Sequence, residues 1–178
     1  MTSQTRNSLW LVLFLIYSLN TVAQKRNNIW CFGDSVGVDF SIINSPTPFV
    51  SALRTRGSCA SIADSIGNIQ FYTGYDTSVL IAGADPFKVY DINNLVMLNG
   101  DSLQGGSAWY NQSLIVPIPL SYNLYFVFHI GVTNNYGLYY SLVDLSLNGG
   151  LGAVTQKNIQ LQSFANVDCL NAIKHGNG

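Results

Sequence analysis

The chain has 178 residues, which is enough for one domain with a sizeable core. Only 10% of the residues are charged, 48% are hydrophobic, and all nine acidic residues are aspartate. This composition disfavours helices, whereas the many tyrosine, isoleucine, valine, asparagine and glycine residues favour strands and tight turns. A formal net charge of -1 offers no basic surface for phosphates, which argues against nucleic acid as a partner.

The segment 1–24 has the organisation of a secretory signal peptide. Arg6 supplies a positive charge, residues 9–19 form an apolar core, and small residues precede a predicted cut close to Ala23. An uncleaved membrane anchor is the alternative, but this apolar core is too short for a bilayer interior that needs about 20 residues. We therefore expect a secreted protein with no membrane span after cleavage.

Residues 30–40, WCFGDSVGVDF, contain Phe-Gly-Asp-Ser, a sequence that introduces the catalytic serine of one large esterase family. One hypothesis is therefore a secreted serine esterase or hydrolase that uses Ser35, or a carboxylate such as Asp34 or Asp39. Such an esterase needs a histidine as general base and strands that alternate with helices. No stretch of the chain keeps a convincing helical period, which argues against that fold.

The two histidines also lack the spacing that this esterase family requires. Its histidine commonly follows an aspartate by three residues, whereas Phe126 precedes His129 and Ala172 precedes His175 at that distance. We expect Ser35 to lie in a turn instead, with backbone freedom supplied by the preceding glycine, Gly33. The preferred interpretation is a protein that is not an enzyme and has no catalytic residue.

A hairpin pattern recurs along the rest of the chain. Residues 59–74 are two short apolar runs around a turn, and residues 112–131 repeat this arrangement. Asn68 of the first copy corresponds to Asn123 of the second, so the period of the repeat is 123 − 68 = 55 residues. A third copy begins at residues 170–178, where the sequence ends inside the predicted hairpin.

Further strand candidates lie between the hairpins and give about four short strands per period. Antiparallel four-stranded blades that recur along a chain are typical of β-propellers. The predicted fold is therefore all-β, an incomplete β-propeller-like array of about three blades over residues 25–178, truncated in its third hairpin. The missing C-terminal blades would belong to a longer chain. A β-sandwich is the main alternative.

Four segments, in order, carry a resemblance to a known family: NIWCFGDSVGVDF, GSCASIADSIGNIQFYTG, QSLIVPIPLSYNLYFVF and LYYSLVDLSLNGGLGAVTQKNIQL. They resemble the N-terminal propeller-like region of large exported surface proteins of the Bacteroidetes, many of which are labelled gliding-motility-associated. The resemblance implies a non-enzymatic interaction or scaffold module at the cell surface. Its partner would be a glycan or a protein bound through propeller loops, and the resemblance supplies no catalytic residue.

The candidate binding residues are aromatic. Trp109 and Tyr110 lie in a polar linker and are the best candidates for an exposed contact, with Tyr136 as a third, although aromatic residues more often pack in the core of a β protein. No cofactor is predicted. No metal site is predicted either, because neither histidine has a cysteine or second histidine at ligand spacing.

Three cysteines follow the predicted signal peptide: Cys31, Cys59 and Cys169. Cys31 and Cys59 are the nearer pair for a disulfide in an exported protein, and buried free thiols are the favoured alternative. Residues 91–101 gather oxygen-bearing side chains but lack the alternating aspartates of a calcium loop, so we expect turn chemistry there.

Overall fold

A computed structural model describes residues 25–42, 44–55, 57–76, 87–104, 111–131, 136–165 and 169–173. Within these ranges the strands are β1 (Ile29–Phe32), β2 (Val36–Asp39), β3 (Thr47–Val50), β4 (Cys59–Ala63), β5 (Ile69–Tyr75), β6 (Phe87–Tyr90), β7 (Ser113–Pro117), β8 (Leu124–Gly131), β9 (Gly137–Asp144) and β10 (Ala153–Gln162). A 3-10 turn, Asn148–Gly150, connects β9 to β10. No helix in the described ranges is long and apolar enough to cross a bilayer.

The strands form three antiparallel sheets in which sequential strands are neighbours. Sheet 1 has the order β1-β2-β3, sheet 2 has β4-β5-β6, and sheet 3 has β7-β8-β9-β10. In sheet 2, single bridges from Tyr90 to Val96 and from Phe87 to Leu103 place residues 96–103 beside β6 as an interrupted fourth strand. The all-β prediction is confirmed.

The two predicted hairpins are present at the predicted spacing. β4 and β5 form the first, β7 and β8 form the second, and their second strands begin at the equivalent residues Ile69 and Leu124. The first turn is closed by Asp64, whose carboxylate accepts the backbone N–H groups of Ile66, Gly67 and Asn68. Residues 170–173 form no strand, and residues 174–178 lie outside the described ranges, so the third hairpin stays a prediction.

Sheet 2 is buried on both faces, which makes it the middle layer of the fold. On one face, Tyr72 and Tyr90 share a cluster with Ile29 and Cys31 of sheet 1. On the opposite face, Ile62, Phe71, Phe87 and Val89 share a larger cluster with Ile115, Tyr125, Val127 and Val143 of sheet 3. Burial of both faces explains why four consecutive residues of β5, Phe71 to Gly74, are buried instead of alternating between buried and exposed.

The outward face of sheet 1 is apolar and open to solvent. The strand register places six residues on this face: Trp30, Phe32, Val36, Val38, Pro48 and Val50. Four of them are large hydrophobic side chains that are well exposed, with Val50 at 74%. These side chains form one apolar patch on the sheet face.

Sheet 3 has half-buried aromatic side chains on its outward face, at the other end of the stack, and the register also places Asp144 and Gln156 on this face. The register places Phe126 and Phe128 of β8 beside Leu142 and Tyr140 of β9 on this face. The rings of Phe126 and Tyr140 meet edge to face, with centroids 5.3 Å apart. Ile159 of β10, opposite Tyr140, extends the surface and is 40% exposed.

The first strands of neighbouring sheets lie against each other, β1 with β4 and β4 with β7. The layered arrangement of sheets 1, 2 and 3 differs from a β-sandwich, which consists of two packed sheets. The described residues form three open sheets, and no closed ring of blades is seen among them. The propeller arrangement is therefore taken up below as a proposal.

Candidate functional site: the cleft between β1 and β4

An open cleft with a volume of about 620 Å³ lies where the first strands of sheets 1 and 2 meet. Its lining includes Trp30, Phe32, Asp34, Thr55, Ser61 and Asn111. Strand β1 and its turn form one wall, and β4 with the chain preceding it forms the opposite wall. The cleft therefore depends on how the edge of β1 is held against β4.

Side chains of β4 satisfy the free backbone edge of β1. The Ser61 hydroxyl accepts the N–H of Cys31 over 3.2 Å and donates to the carbonyl of Ile29 over 2.8 Å. Two residues earlier on the same face, the Cys59 thiol donates to the Cys31 carbonyl over 3.3 Å. Because unpaired backbone groups of a partly buried edge are costly, these bonds fix the separation of the two strands.

The turn after β1 is pressed against the backbone of the neighbouring segment. A Cβ atom on Gly33 would lie 1.6 Å from the Thr55 carbonyl oxygen, so only glycine fits. The positive φ angles belong to Asp34 and Ser35, at 59° and 65°. The expectation that Gly33 supplies backbone freedom is therefore wrong. Gly33 is needed because the turn passes very close to the Thr55 carbonyl, whereas Asp34 and Ser35 adopt the left-handed conformation.

The solvent-facing wall of the cleft carries aromatic side chains beside a carboxylate. Trp30 is 51% exposed and Phe32 is 41% exposed, and both lie on the same face of β1. The indole N–H donates to the Asn27 carbonyl over 2.8 Å, which orients the ring and leaves much of it accessible. Asp34 is exposed at the end of this strand.

Asn111 contributes a polar group from the other wall. Its backbone N–H donates to the Gly57 carbonyl, and its carbonyl accepts from the N–H of Leu170. Its φ angle of 49° is one that asparagine tolerates better than most residues. The amide-bearing residue is thus positioned at the cleft by bonds to two other parts of the chain.

Two of the three cysteines line the cleft, and all three are free in the structure. Burial, with a smaller contribution from the nearby Cys59, raises the pKa of the Cys31 thiol to about 12, against the opposing effect of its bond with Ser61. Burial also raises the pKa of the Cys59 thiol. Both groups are therefore protonated near neutral pH, which makes them weak nucleophiles and weak metal ligands.

The predicted binding residues are only partly tested by the structure. Trp109 and Tyr110 lie outside the described residues, although the residue that follows them, Asn111, lines the cleft. Tyr136 is half-exposed and immediately precedes β9 in sheet 3, and it is not among the residues that line the cleft. The structure therefore does not bring Tyr136 into this site.

Sequence reasoning missed the aromatic wall of the cleft. Residues Ile29 to Phe32 alternate between buried and exposed positions, which places Trp30 and Phe32 together on the outward face. This alternation with a period of two was the sequence signal that could have identified the aromatic wall. The Phe-Gly-Asp-Ser sequence overlaps the same residues and indicates a catalytic serine instead.

The residues of the esterase hypothesis lie in different parts of the fold. Ser35 is in the tight turn between two antiparallel strands of sheet 1, rather than between a parallel strand and a helix. His129 is fully buried in β8 of sheet 3, where its ring nitrogens contact the Gln104 carbonyl and the Ser141 hydroxyl. His175 lies outside the described residues.

The first part of the oxygen-rich segment, residues 91–95, forms a turn of the expected kind, and the residues that follow it lie beside β6. The Asp91 carboxylate is buried and accepts the backbone N–H groups of Asn93 and Leu95, over 2.8 and 3.0 Å. Among the described residues there is no group of three or more histidine, cysteine or acidic side chains arranged to hold a metal ion.

Comparison with models of known protein families, with curated proteins and with solved structures gave no match.

Proposed function

We propose that this protein is a non-enzymatic, propeller-like interaction module that is exported to the cell surface and binds a glycan in the cleft between β1 and β4. The observation that carries the proposal is the exposed aromatic wall of Trp30 and Phe32 beside the Asp34 carboxylate. A cleft of about 620 Å³ is of the size that holds a small ligand or a few sugar units.

The chemistry of the cleft matches that of a sugar ring. A pyranose has apolar C–H faces that pack against aromatic rings, and a rim of hydroxyl groups that need hydrogen-bond partners. Trp30 offers a ring held in place by its own N–H bond, and Asp34 and Asn111 offer carboxylate and amide groups. An acidic group at the site makes hydroxyl-rich ligands better partners than anions.

The propeller-like part of the proposal is supported by how the sheets are arranged. Each sheet is a meander of sequential antiparallel strands, and the first strands of neighbouring sheets contact one another. That is the order in which blades surround an axis, with the first strand innermost. The export part is supported by the charged, apolar and small-residue regions of residues 1–24.

Glycan binding is tested by screening the purified protein against an immobilised panel of neutral and acidic glycans, followed by calorimetric titration of each positive. We expect at least one neutral glycan to bind. The Trp30→Ala variant is expected to weaken that binding at least tenfold, because the stacking surface is removed, and Asp34→Asn is expected to weaken it severalfold.

The matched control is Tyr122→Ala, which removes an aromatic side chain that is 89% exposed in the turn between β7 and β8. It lies outside the cleft and is expected to bind as the unmodified protein does. Circular dichroism verifies that each variant remains folded. Absence of any bound glycan, or equal affinity of the folded Trp30→Ala variant, would contradict the proposal.

A further inference from the structure

Two free thiols, those of Cys31 and Cys59, lie together where sheet 1 packs on sheet 2. Cys31 faces inward from β1, because the strand alternates and its neighbours Trp30 and Phe32 face outward. It belongs to the buried cluster between the two sheets, and Cys59 packs against that cluster. The contact between β1 and β4 therefore brings these two cysteines to one place in the fold.

The Cys59 sulfur is held beside Cys31 by a hydrogen bond. Its thiol donates to the backbone carbonyl of Cys31 over 3.3 Å, and this carbonyl is only a few covalent bonds from the Cys31 sulfur. A negative charge on the Cys59 sulfur disfavours one on the Cys31 sulfur and contributes to the raised pKa of Cys31, so the two sulfur atoms are within electrostatic reach of each other.

The separation of the two strands does not depend on this thiol alone. Ser61, on the same face of β4, makes two further hydrogen bonds to the edge of β1, one to the N–H of Cys31 and one to the carbonyl of Ile29. A thiol is a weak donor, so the bond of Cys59 is easily given up. Rotation of the Cys59 side chain towards the Cys31 sulfur therefore leaves the strands held by Ser61.

We propose that Cys31 and Cys59 are a disulfide pair, which is closed by thiol–disulfide exchange with an external disulfide, either a small molecule or a protein. The Cys59 thiolate attacks one sulfur of that disulfide, and the first external thiolate leaves and takes up the proton that Cys59 lost. The Cys31 thiolate then attacks the Cys59 sulfur, and the second external thiolate leaves and takes up the proton of Cys31. The two cysteines are oxidised, and the external disulfide is reduced to two thiols.

The bond joins the two walls of the cleft, because Cys31 belongs to one wall and Cys59 to the other. It replaces a weak hydrogen bond at the contact of β1 with β4 by a covalent link. The two residues are 28 positions apart in the sequence, so the link closes a long loop and reduces the conformational entropy of the unfolded chain. Cys169 is exposed and is not among the residues that line the cleft, so it keeps its thiol.

The inference rests on the proposed export for the place where the bond forms, since exported proteins meet oxidising conditions. Its test needs neither export nor a glycan. The reduced protein is refolded from urea in a glutathione redox buffer, so that burial of the thiols does not limit the exchange. Free thiols are then blocked, and the digested protein is examined by mass spectrometry. We expect a peptide pair that links Cys31 to Cys59 and disappears on reduction, with Cys169 blocked.

The strength of the pairing is measured from the ratio of reduced to oxidised glutathione at which half of the chains hold the bond. We expect the effective concentration of the two thiols to be at least about a hundredfold higher in the folded protein than in concentrated urea, because the fold holds them together. By linkage, the bond stabilises the fold by the same factor, and we expect it to raise the melting temperature by about 10 °C.

The matched variants carry Cys169→Ser, which removes the third thiol. In this background Cys31→Ser and Cys59→Ser are each expected to form no internal bond and to melt at the same temperature in oxidising and reducing buffer. Cys59→Ala serves if Cys59→Ser does not fold.

Three results would overturn the proposal: a refolded protein that keeps both thiols, a bond from either of them to Cys169, or an equal effective concentration in the folded protein and in urea. Glycan binding is measured separately, so its failure would leave the disulfide pair in place. Absence of the bond would likewise leave the proposed binding function intact.

Discussion

The Ser141 hydroxyl and the Nε2 atom of His129 are 3.1 Å apart in the buried interior of sheet 3. The other ring nitrogen of His129 faces the Gln104 carbonyl, so Nδ1 carries the proton and Nε2 accepts from Ser141. The Ser141 oxygen accepts the N–H of Asn158, and the Asn158 side-chain oxygen accepts the N–H of Gln104. Four hydrogen bonds thus form a closed ring that joins residue 104 to β8, β9 and β10.

This arrangement predicts that the protein loses stability as the pH falls from about 6.5 towards 4. Burial lowers the pKa of His129 to about 4, against the smaller opposing effect of its bond to the Gln104 carbonyl. In that interval the unfolded chain binds a proton on this residue and the folded chain does not, so the free energy of unfolding decreases with decreasing pH. The expected loss is on the order of 3 kcal/mol, measured by urea unfolding at pH 7.5 and pH 4.5.

The control for this prediction is removal of the titrating side chain. His129→Gln removes the titrating group and is expected to flatten the pH dependence between pH 6.5 and 4, at a cost in stability at neutral pH because the ring of hydrogen bonds is disturbed. An equally steep dependence in His129→Gln would show that another group is responsible.

Ser61→Ala is predicted to loosen the attachment of β1 to β4. The substitution leaves the Ile29 carbonyl and the Cys31 N–H without the hydroxyl that they share. We expect the free energy of unfolding to fall by about 1–3 kcal/mol in denaturant titrations. Ser65→Ala, at an exposed position in the next turn, is the matched control and is expected to change stability by less than about 0.5 kcal/mol.

Gly33→Ala is predicted to be among the most destabilising small substitutions in sheet 1. The new Cβ would meet backbone, the Thr55 carbonyl, at 1.6 Å, so the turn must move away from its neighbour. We expect a loss of about 3 kcal/mol or failure to fold. Gly149→Ala has open space around the new Cβ and a φ angle of 66°, so its cost is expected to be only about 1 kcal/mol. Equal melting temperatures for the two variants would contradict this account.

The three thiols are predicted to differ in reactivity. Cys169 is exposed, whereas Cys31 is buried and Cys59 is half-buried, and the pKa values of the latter two are raised by burial. Mass spectrometry after brief treatment of the reduced protein with a maleimide at pH 7 is expected to show one modified residue, Cys169. All three are expected to react after unfolding in urea. Rapid modification of Cys31 in the folded protein would disprove this assignment.

The esterase hypothesis is open to a direct assay. We expect no hydrolysis of an activated acyl ester by the purified protein above the rate of the Ser35→Ala variant, because Ser35 lies in an antiparallel hairpin turn and His129 is engaged elsewhere. Turnover by the unmodified protein that disappears in Ser35→Ala would contradict the proposed binding function and favour an enzymatic one.

Local sequence patterns predicted the first two hairpins because the causes of these hairpins are local. The turn residues Asp64 to Asn68 supply their own hydrogen bonds, and the strands that follow the two turns begin at equivalent positions of the repeat, Ile69 and Leu124. Local patterns gave the wrong reason for Gly33. Glycine is required there because the Thr55 carbonyl lies against it, and Thr55 lies beyond the end of β3, where no local pattern reveals the contact.

The cleft was beyond sequence reasoning for a similar reason. Its walls come from β1, β4 and Asn111, and their separation is set by the bonds of Ser61 and Cys59 to the edge of β1. Tyr136 met the same aromatic criterion as Trp30 but lies at a different sheet. Residue type identified aromatic candidates, and only the packing of sheets decided which of them line a cavity.

By itself the sequence determined the all-β class, the two hairpins and their spacing, because period-two patterning and turn chemistry act over a few residues. Tertiary structure alone decided that sheet 2 is covered on both faces, that β1 and β4 enclose a cleft, and that His129 is buried and neutral. These features depend on which sheet faces meet, and the free energy of burying those faces is a property of the assembled layers rather than of any one segment.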